Sequence, residues 1–280
     1  MTLTVRAALQ ATQTVLESIS DAPAKEAEWL LEHVCGITRH QQILNELLEL
    51  TPAECVHLEK LVIQRRDGKP LAYVLGEQHF WTLRLKVNPA VLIPRPETEL
   101  VVERALHHLS KDQAAQVLDL GTGSGAIALA VAQERPQAQV LAIDQSAPAL
   151  EVARQNALLN QIDNVSFLLS DWFAAVPRRR FGLVLSNPPY IAEGDPHLEA
   201  AVLAHEPTAA LLSGPDGLAA IRQIIRDGRE FLAPGGWLVL EHGWQQAGQV
   251  RQLLESGGLS SVASHADLAG HERVTEAQAP

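Results

Sequence analysis

Residues 116–134 read QVLDLGTGSGAIALAVAQE, and the change of character inside this stretch decides the fold. QVLDL (116–120) is a short apolar run of strand length. Gly121, Gly123 and Gly125 then alternate with Thr122 and Ser124, and AIALAVAQE continues with helical composition. Glycines at alternate positions let a chain turn sharply and let its backbone approach a ligand closely. Strand, glycine turn and helix form the opening of a parallel βαβ unit. The spacing is GxGxG, not the GxGxxG of dinucleotide folds, and no Lys-Ser/Thr pair follows as a phosphate-binding P-loop requires. A tight turn with a purely structural role is the alternative reading.

The pattern repeats downstream. Apolar strands are expected at 139–143, 165–169, 181–186 and 237–242, with helices near 125–134, 147–160 and 216–232. Near-continuous apolar strands separated by helices predict an α/β fold, a mostly parallel sheet with helices on both faces. Upstream, HFWTLRLKV (79–87) alternates and predicts a hairpin. LIPRPETEL (92–100) sets Arg95 between Pro94 and Pro96 in an extended loop, with a helix starting at Thr98 or Glu99. The first part of the chain is helical. Residues 5–19 place apolar side chains at helical spacing, and a second helix over Pro23–Cys35 stops at Gly36. Thr51 to Glu54 form a capping box opening a third helix that ends near Gly68. These patterns divide the chain into a helical bundle (1–75), a hairpin linker (76–91) and an α/β domain (92–280).

In open α/β sheets ligands bind beyond the carboxyl ends of the strands, so the strand tips carry the functional reading. The glycine turn is the first tip. The second is Asp144, about 20 residues further on, where a carboxylate can accept hydrogen bonds from both hydroxyls of a ribose. Asp144 could instead cap the following helix, a task for which Ser146 competes. Ser170 to Phe173 (SDWF) form the third tip, with an indole able to stack on adenine and an aspartate able to accept from its exocyclic amine; Trp172 could equally be core. The fourth tip is Asn187-Pro188-Pro189-Tyr190. Two prolines remove backbone donors and stiffen the chain, leaving an amide, free carbonyls and an aromatic ring.

Composition removes several function classes. The net charge is −11, and residues 89–280 hold 22 of the 33 acidic side chains against 13 of the 22 basic ones. The basic runs Arg65-Arg66 and Arg178-Arg179-Arg180 are too short to neutralise a duplex backbone, and the latter reads as a solvated turn. Cys35 and Cys55 have no metal or redox spacing. No apolar run reaches the ~20 residues of a membrane span, and no secretory signal opens the chain, so a cytoplasmic protein is expected.

Taken in order, these tips resemble the class I S-adenosylmethionine-dependent methyltransferases, whose sheet is Rossmann-like, and within them the N-methylating branch with an Asn-Pro-Pro-Tyr type motif. A closer resemblance spans nearly the whole chain. RRDGKPLAYVLG (65–76), LIPRPETE (92–99), LDLGTGSGAIALA (118–130), DWF (171–173), SNPPYI (186–191), EP (206–207) and LEHGWQQ (240–246) are similar to the release factor glutamine methyltransferases. That resemblance implies methylation of the glutamine side-chain nitrogen, N5, in the Gly-Gly-Gln motif of class 1 peptide-chain release factors. It implies S-adenosylmethionine as cofactor, S-adenosylhomocysteine as product, a substrate-docking role for the helical domain, and a monomer with no nucleic-acid partner. It places the cofactor on Gly121, Thr122, Gly123, Ser124, Gly125, Asp144 and Trp172. Asn187 is implied to touch both cofactor and substrate, with Pro188, Pro189 and Tyr190 completing the substrate pocket. The Asn187 side-chain oxygen and the Pro188 carbonyl are expected to grip both hydrogens of the amide, and Tyr190 to pack on its flat face. The alternative is an N6-adenine DNA or RNA methyltransferase, whose amine presents the same two hydrogens. Arg95 is expected to be a pocket wall or interdomain brace, with a purely structural salt bridge to a carboxylate such as Glu97 or Glu99 as the alternative, and the tail EAQAP (276–280) looks frayed.

Overall fold

A computed structural model describes residues 3–112, 114–196 and 200–280. The chain divides into two compact units, Met1–Gly76 and Glu77–Pro280.

The first unit holds α1 (Val5–Leu16), α2 (Pro23–Cys35), α3 (Arg39–Leu44), α4 (Pro52–Arg66) and α5 (Leu71–Leu75). Val5, Ala8 and Leu16 of α1 meet Leu30 and Leu31 of α2 and Leu58, Leu61 and Val62 of α4 in one core. The Thr51–Glu54 capping box forms in both directions, and Gly36 closes α2 in the left-handed conformation at φ 68°. The first helix ends at Leu16, earlier than its apolar pattern, because residues 17–19 turn away.

The second unit begins with the expected hairpin, β1 (Glu77–Phe80) and β2 (Leu83–Lys86), paired antiparallel. There follow α6 (Glu99–His108), β3 (Gln116–Leu120), α7 (Ala126–Glu134), β4 (Gln139–Asp144), α8 (Ala147–Leu159), β5 (Val165–Leu169) and β6 (Phe181–Ser186). The last part contains α9 (Ala200–His205), α10 (Ala219–Gly228), β7 (Leu232–Glu241), α11 (Ala247–Ser256), β8 (Ser260–Ala266) and β9 (Glu272–Gln278). Strands β3 to β9 form one sheet in the order β5-β4-β3-β6-β7-β9-β8, parallel from β5 to β7, with β9 antiparallel to both β7 and β8.

The tail is therefore the reverse of frayed. Its alternating Val274 and Glu276 against Thr275 and Ala277 fill an inner strand, and Val274, Thr275 and Ala277 have no exposed surface. β7 also starts five residues before the expected strand, at Leu232. The pleat sends alternate side chains to opposite faces. Val117, Leu183 and Leu185 join Val101, Val102, Ile127 and Val131 in one core. Leu118, Leu120 and Val184 join Ile221, Ile224, Val250 and Leu254 in the other.

Strand order reverses between β3 and β6: the chain leaves β3 towards β4 on one side and later returns as β6 on the other. Such a switch point opens a crevice at the carboxyl ends. Register aligns the tips across it, because Ile143, Leu120, Ser186 and Leu240 pair in one row. Asp144, Gly121, Asn187 and Glu241 are consequently the next residues on four neighbouring strands. Ser186 Oγ donates to the Leu120 carbonyl at 2.8 Å, tying β6 to β3 at the crevice itself.

Candidate active site

The glycine turn after β3 is held from three directions. Gly121, Gly123 and Gly125 take φ of 69°, 55° and 85°. Thr122 N–H donates to the Ile143 carbonyl at 2.8 Å, and Gly123 N–H donates to Asp144 Oδ2 at 2.9 Å. The Ser124 carbonyl accepts from Asn156 Nδ2 at 2.9 Å. At Gly125 a side chain would be both strained and obstructed, since a Cβ there would lie 3.0 Å from Leu129 Cδ1 and 3.3 Å from the Ala153 methyl. Gly125 lets α7 start against α8, with no side-chain cap over its first turn.

Asp144 does not cap α8. Ser146 does, its Oγ accepting from Ala149 N–H at 3.2 Å. Asp144 instead accepts from Gly123 and Ser146 N–H, which favour its charged form against the opposing effect of burial; burial dominates and raises its pKa. A carboxylate has about four lone-pair sites, so acceptor capacity remains for a ligand beside the backbone donors Gly123, Gln145 and Ser146. Trp172 is half-buried at φ 44°, a backbone region that non-glycine residues rarely adopt. Ser170 fixes that turn: its Oγ donates to the Trp172 carbonyl at 2.6 Å and accepts from Ala175 N–H at 3.0 Å. A Cβ on Gly121 would lie 3.8 Å from Trp172 Cζ3, so the indole flanks the glycine turn.

Two cavities meet at the fourth tip. The narrower, about 220 Å³, is lined by Gly121, Thr122, Gly123, Ser124, Asp144, Trp172, Asn187 and Pro189 among others. The wider, about 700 Å³, is lined by Arg95, Asn187, Tyr190, Trp244, Gln246 and Arg273 among others. Asn187 lines both. Gly125 does not line the narrower cavity and serves packing. Pro188 is buried and lines neither, and its carbonyl accepts no hydrogen bond among the described residues.

Asn187 Nδ2 donates to Thr98 Oγ1 at 3.1 Å, and Tyr190 Oη donates to Glu241 Oε1 at 3.2 Å. Burial raises the Tyr190 pKa, so the phenol stays protonated. Thr98 and Glu241 were not singled out from the sequence. The available signal was Glu241 itself, a charged residue ending the apolar strand WLVLE in register with Asn187. Glu206 was also missed. It is buried, accepts from Ile93 N–H at 3.1 Å and pairs with Arg95. Arg95 lines the wider cavity, and its ion pair is with Glu206 and not with Glu97 or Glu99; Glu99 is engaged by Trp81 N–H at 2.7 Å. Arg180 in the basic run donates to the Leu232 carbonyl at 2.8 Å. Cys35 and Cys55 are free thiols, and no described group of His, Cys, Asp and Glu could hold a metal.

Below the glycine turn lies Asp119, which burial pushes up to about 7. Its oxygens and the neighbouring Thr122 Oγ1 make no hydrogen bond of ordinary geometry among the described residues, although the Thr122 hydroxyl and the Ala128 N–H beside it favour its charged form. Asp119 lines neither cavity, so it acts on a ligand only through the negative potential it adds beneath the turn.

An open sheet with nucleoside-type groups on three successive tips and Asn-Pro-Pro-Tyr on a fourth defines a class I methyltransferase. Residues 102–214 match the methyltransferase small domain model, and residues 7–76 match the PrmC N-terminal domain model. The chain belongs to the release factor glutamine methyltransferase family. It is 48% identical over 255 residues to the Xylella fastidiosa (strain 9a5c) release factor glutamine methyltransferase, covering 91% of this chain and 93% of that one. It is 45% identical over 256 residues to the Escherichia coli (strain K12) release factor glutamine methyltransferase, covering 91% and 92%. Among solved structures, the T. thermophilus 16S rRNA N2 G1207 methyltransferase in complex with AdoMet and guanosine shares the fold, with TM-score 0.53 at 18% identity over 73% of this chain and 50% of that one.

Proposed function

We propose that the chain transfers a methyl group from S-adenosylmethionine to the side-chain nitrogen, N5, of the glutamine in the Gly-Gly-Gln motif of class 1 peptide-chain release factors. It acts as a cytoplasmic monomer. The observation that carries this reading is Asn187, an amide on a proline-stiffened tip that lines both cavities. The narrower cavity takes the cofactor and the wider one the glutamine-bearing loop.

The residues fit the cofactor. The Asp144 lone pairs suit its ribose, the Trp172 indole suits its adenine, and Thr122 lines the same cavity, with the buried Asp119 beneath the turn adding negative potential that suits its positive charge. The turn of Gly121, Thr122, Gly123 and Ser124 offers backbone in place of side chains, and Gly125 seats the helix behind it. When bound, S-adenosylmethionine supplies an electrophilic methyl group on a sulfonium, which leaves as a neutral thioether.

The chain's own task is geometric. An amide nitrogen is a poor nucleophile because its lone pair is delocalised into the carbonyl. Asn187 Oδ1 accepts one amide hydrogen and the Pro188 carbonyl, which no described residue engages, takes the other as the substrate reaches past the cavity lining to it; together they hold the lone pair towards the narrower cavity. As the nitrogen–carbon bond forms and the carbon–sulfur bond breaks, positive charge develops on nitrogen. The two acceptors stabilise it without reorganising. The surplus proton then passes to water, since an alkylated amide nitrogen is strongly acidic. Pro189 and Tyr190 wall the glutamine, Tyr190 packing on its amide plane. Ile43, Leu44, Leu47 and Leu48 stay exposed in the first unit, which supports a docking role for it.

Mass spectrometry of release factor incubated with enzyme and S-adenosylmethionine tests the assignment. A gain of one CH2 on the Gly-Gly-Gln glutamine is expected, and label appearing only in DNA or RNA refutes it. Asn187→Ala should keep cofactor affinity and lose methyl transfer by on the order of 10²–10³; full retained activity refutes the alignment role.

A further inference from the structure

The two ends of a primary amide have nearly the same shape and opposite hydrogen-bonding character. Asn187 can accept a substrate N–H only if Oδ1, not Nδ2, faces the cavity. A flipped side chain would set donor against donor at the reacting atom. Its neighbours must therefore fix its orientation.

The Asn187 Nδ2 group meets Thr98 Oγ1 at 3.1 Å. A threonine hydroxyl both donates and accepts, so Thr98 alone would serve either orientation. Thr98 is buried at the end of the short turn Pro96–Thr98, its N–H held by the Arg95 carbonyl at 3.1 Å. Behind it stands Glu241, 1% exposed, at the end of β7. Glu241 Oε1 already accepts from Tyr190. Oε2 has no partner of ordinary geometry among the described residues, and the Thr98 hydroxyl is the group beside it whose hydrogen bonding favours the carboxylate. An ionised carboxylate only accepts. In its ionised form Glu241 can accept a hydrogen bond from the Thr98 O–H, an arrangement that leaves the Thr98 lone pairs for Asn187 Nδ2 and turns Oδ1 outward.

We propose that Glu241 and Thr98 are positioning residues for methyl transfer: a buried carboxylate orders a hydroxyl, the hydroxyl orders the Asn187 amide, and the same carboxylate anchors the Tyr190 ring. The proposal rests on the reading that Asn187 Oδ1 accepts the substrate amide. It adds two residues from β7 and the 92–98 loop to a motif that otherwise belongs to one strand tip.

The test is a double-mutant cycle between Thr98→Val and Asn187→Ala, with kcat and KM for release factor and the calorimetric Kd of S-adenosylmethionine. Thr98→Val should lower kcat by about tenfold, the weight of one strong hydrogen bond, read at saturating S-adenosylmethionine because Thr98 also lines the narrower cavity. Thr98→Ser, which keeps the hydroxyl, should restore kcat. In the Asn187→Ala background the Thr98→Val loss should vanish, because nothing remains to orient. A kcat unchanged in Thr98→Val, or the same loss in both backgrounds, overturns the proposal while leaving the Asn187 reading intact. Full transfer by Asn187→Ala alone sinks that reading instead. Should Thr98→Val fail to fold by thermal melting, Glu241→Gln keeps the shape: kcat must fall at unchanged cofactor Kd, and an unaltered kcat overturns the proposal equally.

Discussion

Asn156 is the side chain on which the hairpin, α8 and the glycine turn jointly depend. It is 0% exposed and makes three hydrogen bonds to backbone. Its Nδ2 donates to the Lys86 carbonyl at 3.0 Å and the Ser124 carbonyl at 2.9 Å, and its Oδ1 accepts from Lys86 N–H at 2.6 Å. Asn156→Ala strands all three backbone groups. Each buried unpaired group costs about 1–3 kcal/mol, and alanine returns a few tenths of a kcal/mol through helix propensity. The arithmetic bounds the loss at about 3–9 kcal/mol, and because the two Lys86 groups are only part-buried and can regain water, the lower part of that range, on the order of 3–6 kcal/mol, is expected, a large share of the ~5–15 kcal/mol that holds a typical domain. Urea unfolding gives the loss directly as a shifted midpoint at unchanged slope. Cofactor affinity, by calorimetry, should weaken in parallel because Ser124 lines the narrower cavity. Asn156→Asp sharpens the test: it retains an acceptor for Lys86 N–H but sets anionic oxygen against two carbonyls, and should be no better than alanine. A loss below about 1 kcal/mol for Asn156→Ala, or clear rescue by aspartate, would refute the claim that this amide holds the turn.

Other perturbations separate the two cavities. Glu206→Ala frees Ile93 N–H and Arg95 at once, so the segments around Pro94 and Pro207 that line the narrower cavity lose their tie; cofactor Kd should rise about tenfold, and an unchanged Kd argues against it. Gly217→Ala would place a Cβ 2.3 Å from the Tyr190 carbonyl at φ 73°, so methyl transfer should fall more than tenfold while calorimetric cofactor affinity holds; normal kcat counts against the close approach. Burial raises Asp119 and Glu241 to about 7 from ordinary values of 3.8 and 4.5. The folded state then keeps these protons to higher pH than the unfolded chain, so stability falls as pH rises from about 4 through 7 and levels off above. The effect is at most about 4 kcal/mol for Asp119 and about 3 kcal/mol for Glu241, and urea midpoints that stay flat between pH 5 and pH 8 would contradict it.

The parallel half of the sheet was legible because its strands are apolar on both faces and the glycine turn marks the first tip. The antiparallel edge was not. SSVASHA in β8 and ERVTEAQ in β9 carry too many polar residues to read as strands, yet β9 is buried. Its charges are answered across the sheet: Glu276 accepts from Arg104 Nε and Nη2 at 2.9 Å and meets His108 at 3.0 Å. Arg104 and His108 lie on α6, far away in sequence, and no local pattern reveals such a pairing. The site divides in the same way. The groups projecting from tips into the cavities, Asp144, Trp172 and Asn187, could be read from position alone. Thr98, Ser170, Glu206 and Glu241, which hold those groups, are recognisable only once register and crossover place them together.

That division has a chemical reason. Moving a methyl group from a sulfonium to a neutral amide translates one positive charge by a bond length or two and creates none. A nearby carboxylate such as Asp119 therefore attracts the ground state and the transition state almost equally. It strengthens binding and does little for the rate, because only differential stabilisation accelerates a step. What separates the two states is whether the amide lone pair points along the breaking bond, and orientation of this kind is worth up to roughly 7–11 kcal/mol in favourable cases. The fold is built accordingly around Asn187. Two prolines follow it, Ser186 is tied to β3, Thr98 orders its amide, and Gly217 lets a neighbouring turn close on the Tyr190 carbonyl. On the proposed reading, binding is spread over the narrower cavity, whereas the rate resides in the stiffness of one strand tip. Substitutions behind Asn187 should accordingly change kcat, and those around Asp119 and Asp144 should change affinity.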